Sequence, residues 1–195
     1  MEGLFPYKPC VDYSALKITD EGRYSITKKY DSQQITSILL NLKHISTEST
    51  ITDATACVGG DTINFGLHFK NVKSIELDPD NFDVLVNNIE TFQMNNVILY
   101  NADAVKIFKW YTDILYIDPP WGGRGYKKYK NFDIYISKKR IDIWIEEILA
   151  RKTKPKYIAI KLPFNYRFTR LMFLENTTIK SYQINSYVLL VIENR

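Results

Sequence analysis

The chain has 195 residues, a length that suits one domain with a sizeable core. Hydrophobic residues at 45%, charged residues at 25%, 8 Gly and 7 Pro exclude a disordered, collagenous or low-complexity chain. Two cysteines, Cys10 and Cys57, exclude a disulfide-rich scaffold, and no apolar run reaches the ~18 residues of a membrane span. The first residues lack the basic-then-apolar pattern of a secretory signal, so an intracellular setting, cytoplasm or nucleus, is expected. The net charge of +4 is uneven: Arg124 to Arg170 holds 14 Lys/Arg and 4 Asp/Glu. That block suggests an anionic partner, with a solvated face as the plainer alternative.

Residues 1–28 show no clear period and read as an irregular arm. Tyr30–Leu42 carries Ile35, Leu39 and Leu42 at helical spacing. A strand is predicted at Thr50–Ala54, a helix at Asp61–Phe69 and a strand at Val72–Leu77. A helix over Asp80–Phe92 follows, with Phe82, Leu85, Val86 and Ile89 on one face. Asn96–Tyr100 and Asp113–Ile117 read as strands, the second stopped by Pro119-Pro120. Ser137–Ala150 reads as a helix, Tyr157–Leu162 as a strand and Arg167–Leu174 as a short helix. Thr178–Ile184 and Tyr187–Ile192, split by Asn185-Ser186, read as a terminal hairpin. Alternating strands and helices predict an α/β domain with a mainly parallel sheet, whose ligands bind beyond the carboxyl ends of strands.

The loops after the strands concentrate the unusual chemistry. Asp53-Ala-Thr-Ala-Cys-Val-Gly-Gly60 has paired glycines that allow close backbone approach, and no lysine to hold a triphosphate. Asp53 is a candidate for a cationic group; a tight turn with no ligand is the alternative. Glu76, at the end of the second strand, is the candidate for ribose hydroxyls. Asp78-Pro79 reads as a helix cap. Asp103, after the third strand, is a candidate for an adenine amine or, equally, a cap. Asp118-Pro-Pro-Trp-Gly-Gly123, after the fourth, is the sharpest signal. Carbonyls there and one carboxylate suit an exocyclic amine, and Trp121 offers a stacking face worth ~1–3 kcal/mol per base.

Together these motifs resemble the class I S-adenosylmethionine-dependent methyltransferases. Within these the chain resembles the trimethylguanosine synthase family, which methylates guanine N2 on 7-methylguanosine RNA caps. The resemblance rests on Leu16–Thr27, Asp53–Gly60, Ile75–Pro79 with Asn87-Asn88, Pro119–Gly123 with Tyr126 and Phe132–Ile134, and Leu162-Pro163 with Asn165. It implies a doubly wound, Rossmann-like, seven-stranded sheet with a C-terminal hairpin. Residues 1–30 are then an arm reaching the cofactor and substrate, and residues 31–195 the catalytic domain.

The resemblance also implies S-adenosylmethionine held by Thr27, Asp53, Thr55, Cys57, Gly59, Gly60, Glu76, Leu77, Asp103, Ala104 and Asp118. Asp118, Pro119 and Trp121 would be catalytic. Trp121, Tyr126, Asn165, Lys17, Arg124, Lys127 and Lys128 would hold a capped RNA, with Lys130 beside them. No metal is implied, since His44 and His68 are isolated. A monomer is expected, and an isoleucine-rich composition fits a viral source. The family commonly has Ser where Asp118 stands, and Asp-Pro-Pro-Trp is typical of adenine-N6 methyltransferases acting on RNA or DNA. That target is the alternative reading, and a non-catalytic RNA-binding relative is a third.

Overall fold

A computed structural model describes residues 3–195. Seven strands form one mostly parallel sheet in the order β3-β2-β1-β4-β7-β9-β8, and β5-β6 form a separate ribbon. The chain divides into two compact units, Met1–Ala104 and Val105–Arg195.

The first unit contains β1 (Thr50–Asp53), β2 (Asn71–Glu76) and β3 (Val97–Asn101), paired in parallel. The helices are α1 (Gly22–Ser25), α2 (Lys29–Leu40), α3 (Gly60–His68), α4 (Pro79–Thr91) and the short α5 (Ala104–Ile107), the last running into the second unit. The predicted helices and strands of this unit are all present, with ends shifted by one or two residues. Asp78 caps α4 as expected, its side chain accepting from Asn81 N–H, with Pro79 in the first turn.

The arm is largely irregular, and it packs into the core: Phe5, Leu16 and Ile26 are buried with Val58, Ile63, Leu85, Ile89 and Phe92. Its scattered apolar residues lack a period because each fills a separate gap rather than one face of an element. Fully buried Asn88 fastens it. The Asn88 carboxamide oxygen accepts from Lys17 N–H at 2.9 Å, and its nitrogen donates to the carbonyls of Lys17 and Val58 at 3.0 and 2.9 Å. A buried amide satisfied on three sides fixes one register of the arm.

The second unit contains β4 (Ile114–Ile117), parallel to β7 (Tyr157–Pro163). β9 (Tyr187–Asn194) lies antiparallel between β7 and β8 (Thr177–Ile184), which is the predicted hairpin. α6 (Ile141–Leu149) buries Ile141, Trp144, Ile145 and Ile148. It starts four residues later than predicted, because β5 (Tyr135–Ile136) and β6 (Lys139–Arg140) form a ribbon turning at Ser137, φ 54°. The helix expected at Arg167–Leu174 is only a 3-10 turn, Leu171–Phe173. Its apolar run has no facing core: Leu171 is buried while Met172 and Phe173 are exposed.

Candidate active site

Within the first unit, the end of β1 leads into the glycine loop. Asp53 is buried, and its carboxylate accepts from Thr55 N–H at 3.2 Å and from the Thr62 hydroxyl at 2.7 Å. The Thr62 hydroxyl also lies 3.0 Å from that of Ser74. Asp53 thus ties the loop to the first turn of α3. Gly59 caps α3 at φ 98°, a conformation that costs a side-chain-bearing residue about 1–2 kcal/mol.

Gly60 answers to a different need. A Cβ there would sit 2.6 Å from Ile26 Cγ1 and 3.0 Å from the Thr27 carbonyl. The space a side chain would need at Gly60 is filled by the arm. Thr27 is buried, and its hydroxyl donates to Asp61 at 2.5 Å, so it too holds the arm to α3.

Glu76 organises the rim of this loop. One carboxylate oxygen accepts from Cys57 N–H at 2.7 Å and the other from Asp78 N–H at 2.8 Å. Cys57 reaches this position at φ 48°. Burial raises the Glu76 pKa above the ordinary value, the two N–H groups oppose that shift, and the nearby charges of Asp78 and Glu21 add to it. Leu77 beside it is 56% exposed. Thr55, Cys57 and Asp103 are half-buried, and Ala104 is buried at the start of α5. Acids therefore follow three consecutive parallel strands, as read from the sequence, although Asp53 is turned inward. An apolar face beside a carboxylate already oriented by backbone donors fits the chemistry of a nucleoside ribose and base.

Within the second unit, Asp118-Pro-Pro-Trp follows β4. Pro119 is buried, and Gly122 and Gly123 turn the chain at φ 81° and 71° into a 3-10 segment, Gly123–Lys128. Trp121 is half-buried. Its indole N–H donates to the Lys161 carbonyl at 3.3 Å, and its ring meets Tyr126 and Tyr187 edge-on at 5.2 and 6.1 Å. Asn165 donates to the carbonyls of Tyr126 and Tyr129 at 2.8 and 2.6 Å, so its amide nitrogen holds this loop. Lys127, Lys128 and Lys130 are exposed, as is Lys17 in the first unit. Arg124 falls in the same 3-10 segment.

One residue here escaped the sequence reading. Lys161, in β7, is buried, and its ammonium lies 2.7 Å from Asp118 Oδ2. The signal was present: a lysine stands alone in the apolar run Tyr157-Ile-Ala-Ile-Lys-Leu-Pro163. Among the described residues, no group of three or more His, Cys, Asp or Glu could hold a metal ion, and no helix is long and apolar enough to cross a membrane.

The sheet order, the parallel strands and the C-terminal hairpin define a Rossmann-like methyltransferase fold. An rRNA methylase from Streptococcus thermophilus shares it at a TM-score of 0.58 and 15% identity, with 85% of this chain and 95% of that one covered. The chain belongs to the RNA cap guanine-N2 methyltransferase family, whose model matches residues 48–192. It is therefore an RNA methyltransferase of that family, and the fold implies use of S-adenosylmethionine. An uncharacterized protein, L320, of Acanthamoeba polyphaga mimivirus is 33% identical over 94% of this chain and 79% of its own length. The trimethylguanosine synthase of Schizosaccharomyces pombe is 29% identical over 59% of this chain and 50% of its own.

Proposed function

We propose that the protein transfers a methyl group from S-adenosylmethionine to the exocyclic N2 amine of a 7-methylguanosine RNA cap. The observation that carries this reading is the Asp118-Pro-Pro-Trp-Gly-Gly loop, with Trp121 held between Tyr126 and Tyr187. The family match supports the same base.

The cofactor supplies an electrophilic methyl on sulfonium, so the chain's task is to position an amine lone pair in line with it. Glu76 holds the ribose hydroxyls, Leu77 lies against the adenine and Asp103 accepts from the adenine amine. Asp53, Gly59, Gly60 and Thr27 shape the loop through Thr55 and Cys57, Thr27 coming from the arm of residues 1–30. Trp121 stacks on the cationic base, with a cation–π gain of about 0.5–2 kcal/mol. The Asp118 carboxylate and the Pro119 carbonyl accept from the N2 amine, and the carboxylate takes the proton released after transfer. Lys127 and Lys128 are the cations proposed for the cap phosphates and RNA backbone, and by the resemblance so are Arg124 and, in the first unit, Lys17. Relationship to a mimivirus protein supports a viral source.

The test is a panel of 7-methylguanosine triphosphate, guanosine triphosphate and an adenine-containing RNA oligonucleotide, each with labelled cofactor and mass readout. Methylation of 7-methylguanosine triphosphate alone is expected. Transfer only to adenine would install the second reading, adenine N6, which Asp118 itself favours. Trp121→Ala is expected to abolish cap methylation while cofactor affinity, measured by calorimetry, stays nearly unchanged.

A further inference from the structure

The strongest unexplained feature is an ion pair between a buried lysine and a half-buried acid that reaches both named side chains of the base-binding loop. Lys161 is 5% exposed, and its ammonium lies 2.7 Å from Asp118 Oδ2. The same ammonium stands 4.8 Å from the Tyr187 ring centroid and 5.7 Å from that of Trp121. Its main-chain carbonyl accepts the Trp121 indole N–H. Lys161 thus touches the acid, the stacking ring and the tyrosine behind that ring.

Buried lysines are expensive, and a pair of this kind is weak evidence for stability. Its position gives it another use. A carboxylate on a single side chain rotates about two bonds, and a charge-assisted bond to one oxygen removes that freedom. Strand β7 supplies the rigid base, since Lys161 pairs with Leu189 of β9 on one side.

We propose that Lys161 is a positioning residue for the methyl transfer, acting through Asp118: it orients the carboxylate that accepts from the target amine. The inference rests on the reading of Asp118 as the amine acceptor.

A comparison of Asp118→Asn with the Asp118→Asn/Lys161→Met double variant tests it. The double variant buries no unpaired charge, so it is the fair partner even should Lys161→Met alone fail to fold. If Lys161 acts through Asp118, removing it after Asp118 costs nothing, and the two variants share the same kcat within about twofold. A further loss of about tenfold or more in the double variant overturns the proposal, because Lys161 then acts by another route. The wild-type background gives a second readout. Lys161→Arg is expected to retain most activity, and Lys161→Met to lose about 10- to 100-fold in kcat, with the KM for cofactor unchanged. Equal losses in both, or a rise in cofactor KM alone, would mark Lys161 as a packing residue. The comparison is run on whichever base the panel identifies. Failure of the cap reading shows as a change of substrate with the two kcat values still equal. Failure of the Lys161 reading shows as a further loss with 7-methylguanosine triphosphate still methylated.

Discussion

At the residue scale, Glu76 carries a pH signature. Burial is the largest cause of its raised pKa. A carboxylate held above its ordinary value of 4.5 opposes folding when ionised. That penalty is absent below 4.5, grows as pH rises through the raised folded value, and is complete above it. Thermal stability measured against pH should therefore fall over that window in the wild type and lose this component in Glu76→Gln. Ribose hydroxyls donate to the ionised form, so cofactor affinity should rise over the same window. Calorimetry on Glu76→Gln is expected to show roughly 10-fold weaker binding with little pH dependence. A wild-type affinity indifferent to pH would remove Glu76 from the cofactor site. The identity of this acid was legible in its place after the second strand. Its backbone partners were not, because Cys57 N–H reaches it only through a positive-φ turn nineteen positions upstream.

At the element scale, the arm and α3 meet at one tight point. Gly60→Ala places a methyl against Ile26 and the Thr27 carbonyl. Overpacking of this kind costs about 1–3 kcal/mol. Denaturant midpoints should show that loss, and Ile26→Ala in the same chain should recover part of it by opening space. Strictly additive losses would mean the clash is relieved elsewhere. Phe5→Ala, which empties a fully buried site in the same cluster, is expected to cost about 3–5 kcal/mol. The parallel strands and α4 were readable because period and caps are local signals. The arm was not, since its residues are matched to the surface of other elements. The late start of α6 was hidden too: Ser137-Lys-Lys-Arg140 suits a helix by propensity, and the ribbon overrides it.

At the scale of the whole molecule, the basic block proves to be divided. Lys139, Arg140, Lys156, Lys161 and Arg170 are tied to acids in ion pairs. Exposed Lys127, Lys128 and Lys130 sit within and beside the 3-10 segment that follows Trp121. Asp142, Glu146 and Glu147 already stand among the four acids of that block, so only the pairing of Lys156 and Lys161 with Asp113 and Asp118, outside it, lowers the charge offered to a partner. Affinity for a capped RNA of some ten nucleotides should fall with salt. Replacing the three lysines with alanine should shallow that dependence by up to about 0.7 for each phosphate left without its cation. Affinity for the bare cap analogue, which keeps the cap phosphates, should fall as well. An unchanged slope would assign these lysines to solvent.

The antiparallel end of the sheet has a consequence for assembly. β9 lies between β7 and β8, yet it follows both in the chain. During synthesis, β7 and β8 emerge first and have no bonds to one another in the finished sheet. Each offers an open edge until β9 arrives and is stitched to both. Eight residues, Tyr187–Asn194, therefore act as the closing seam, and β7, which carries Lys161, gains its second neighbour only at that step. The strand that carries Lys161 is thus left with an unpaired edge until β9 is made, and a ribosome-bound chain short of β9 would expose that edge to other chains.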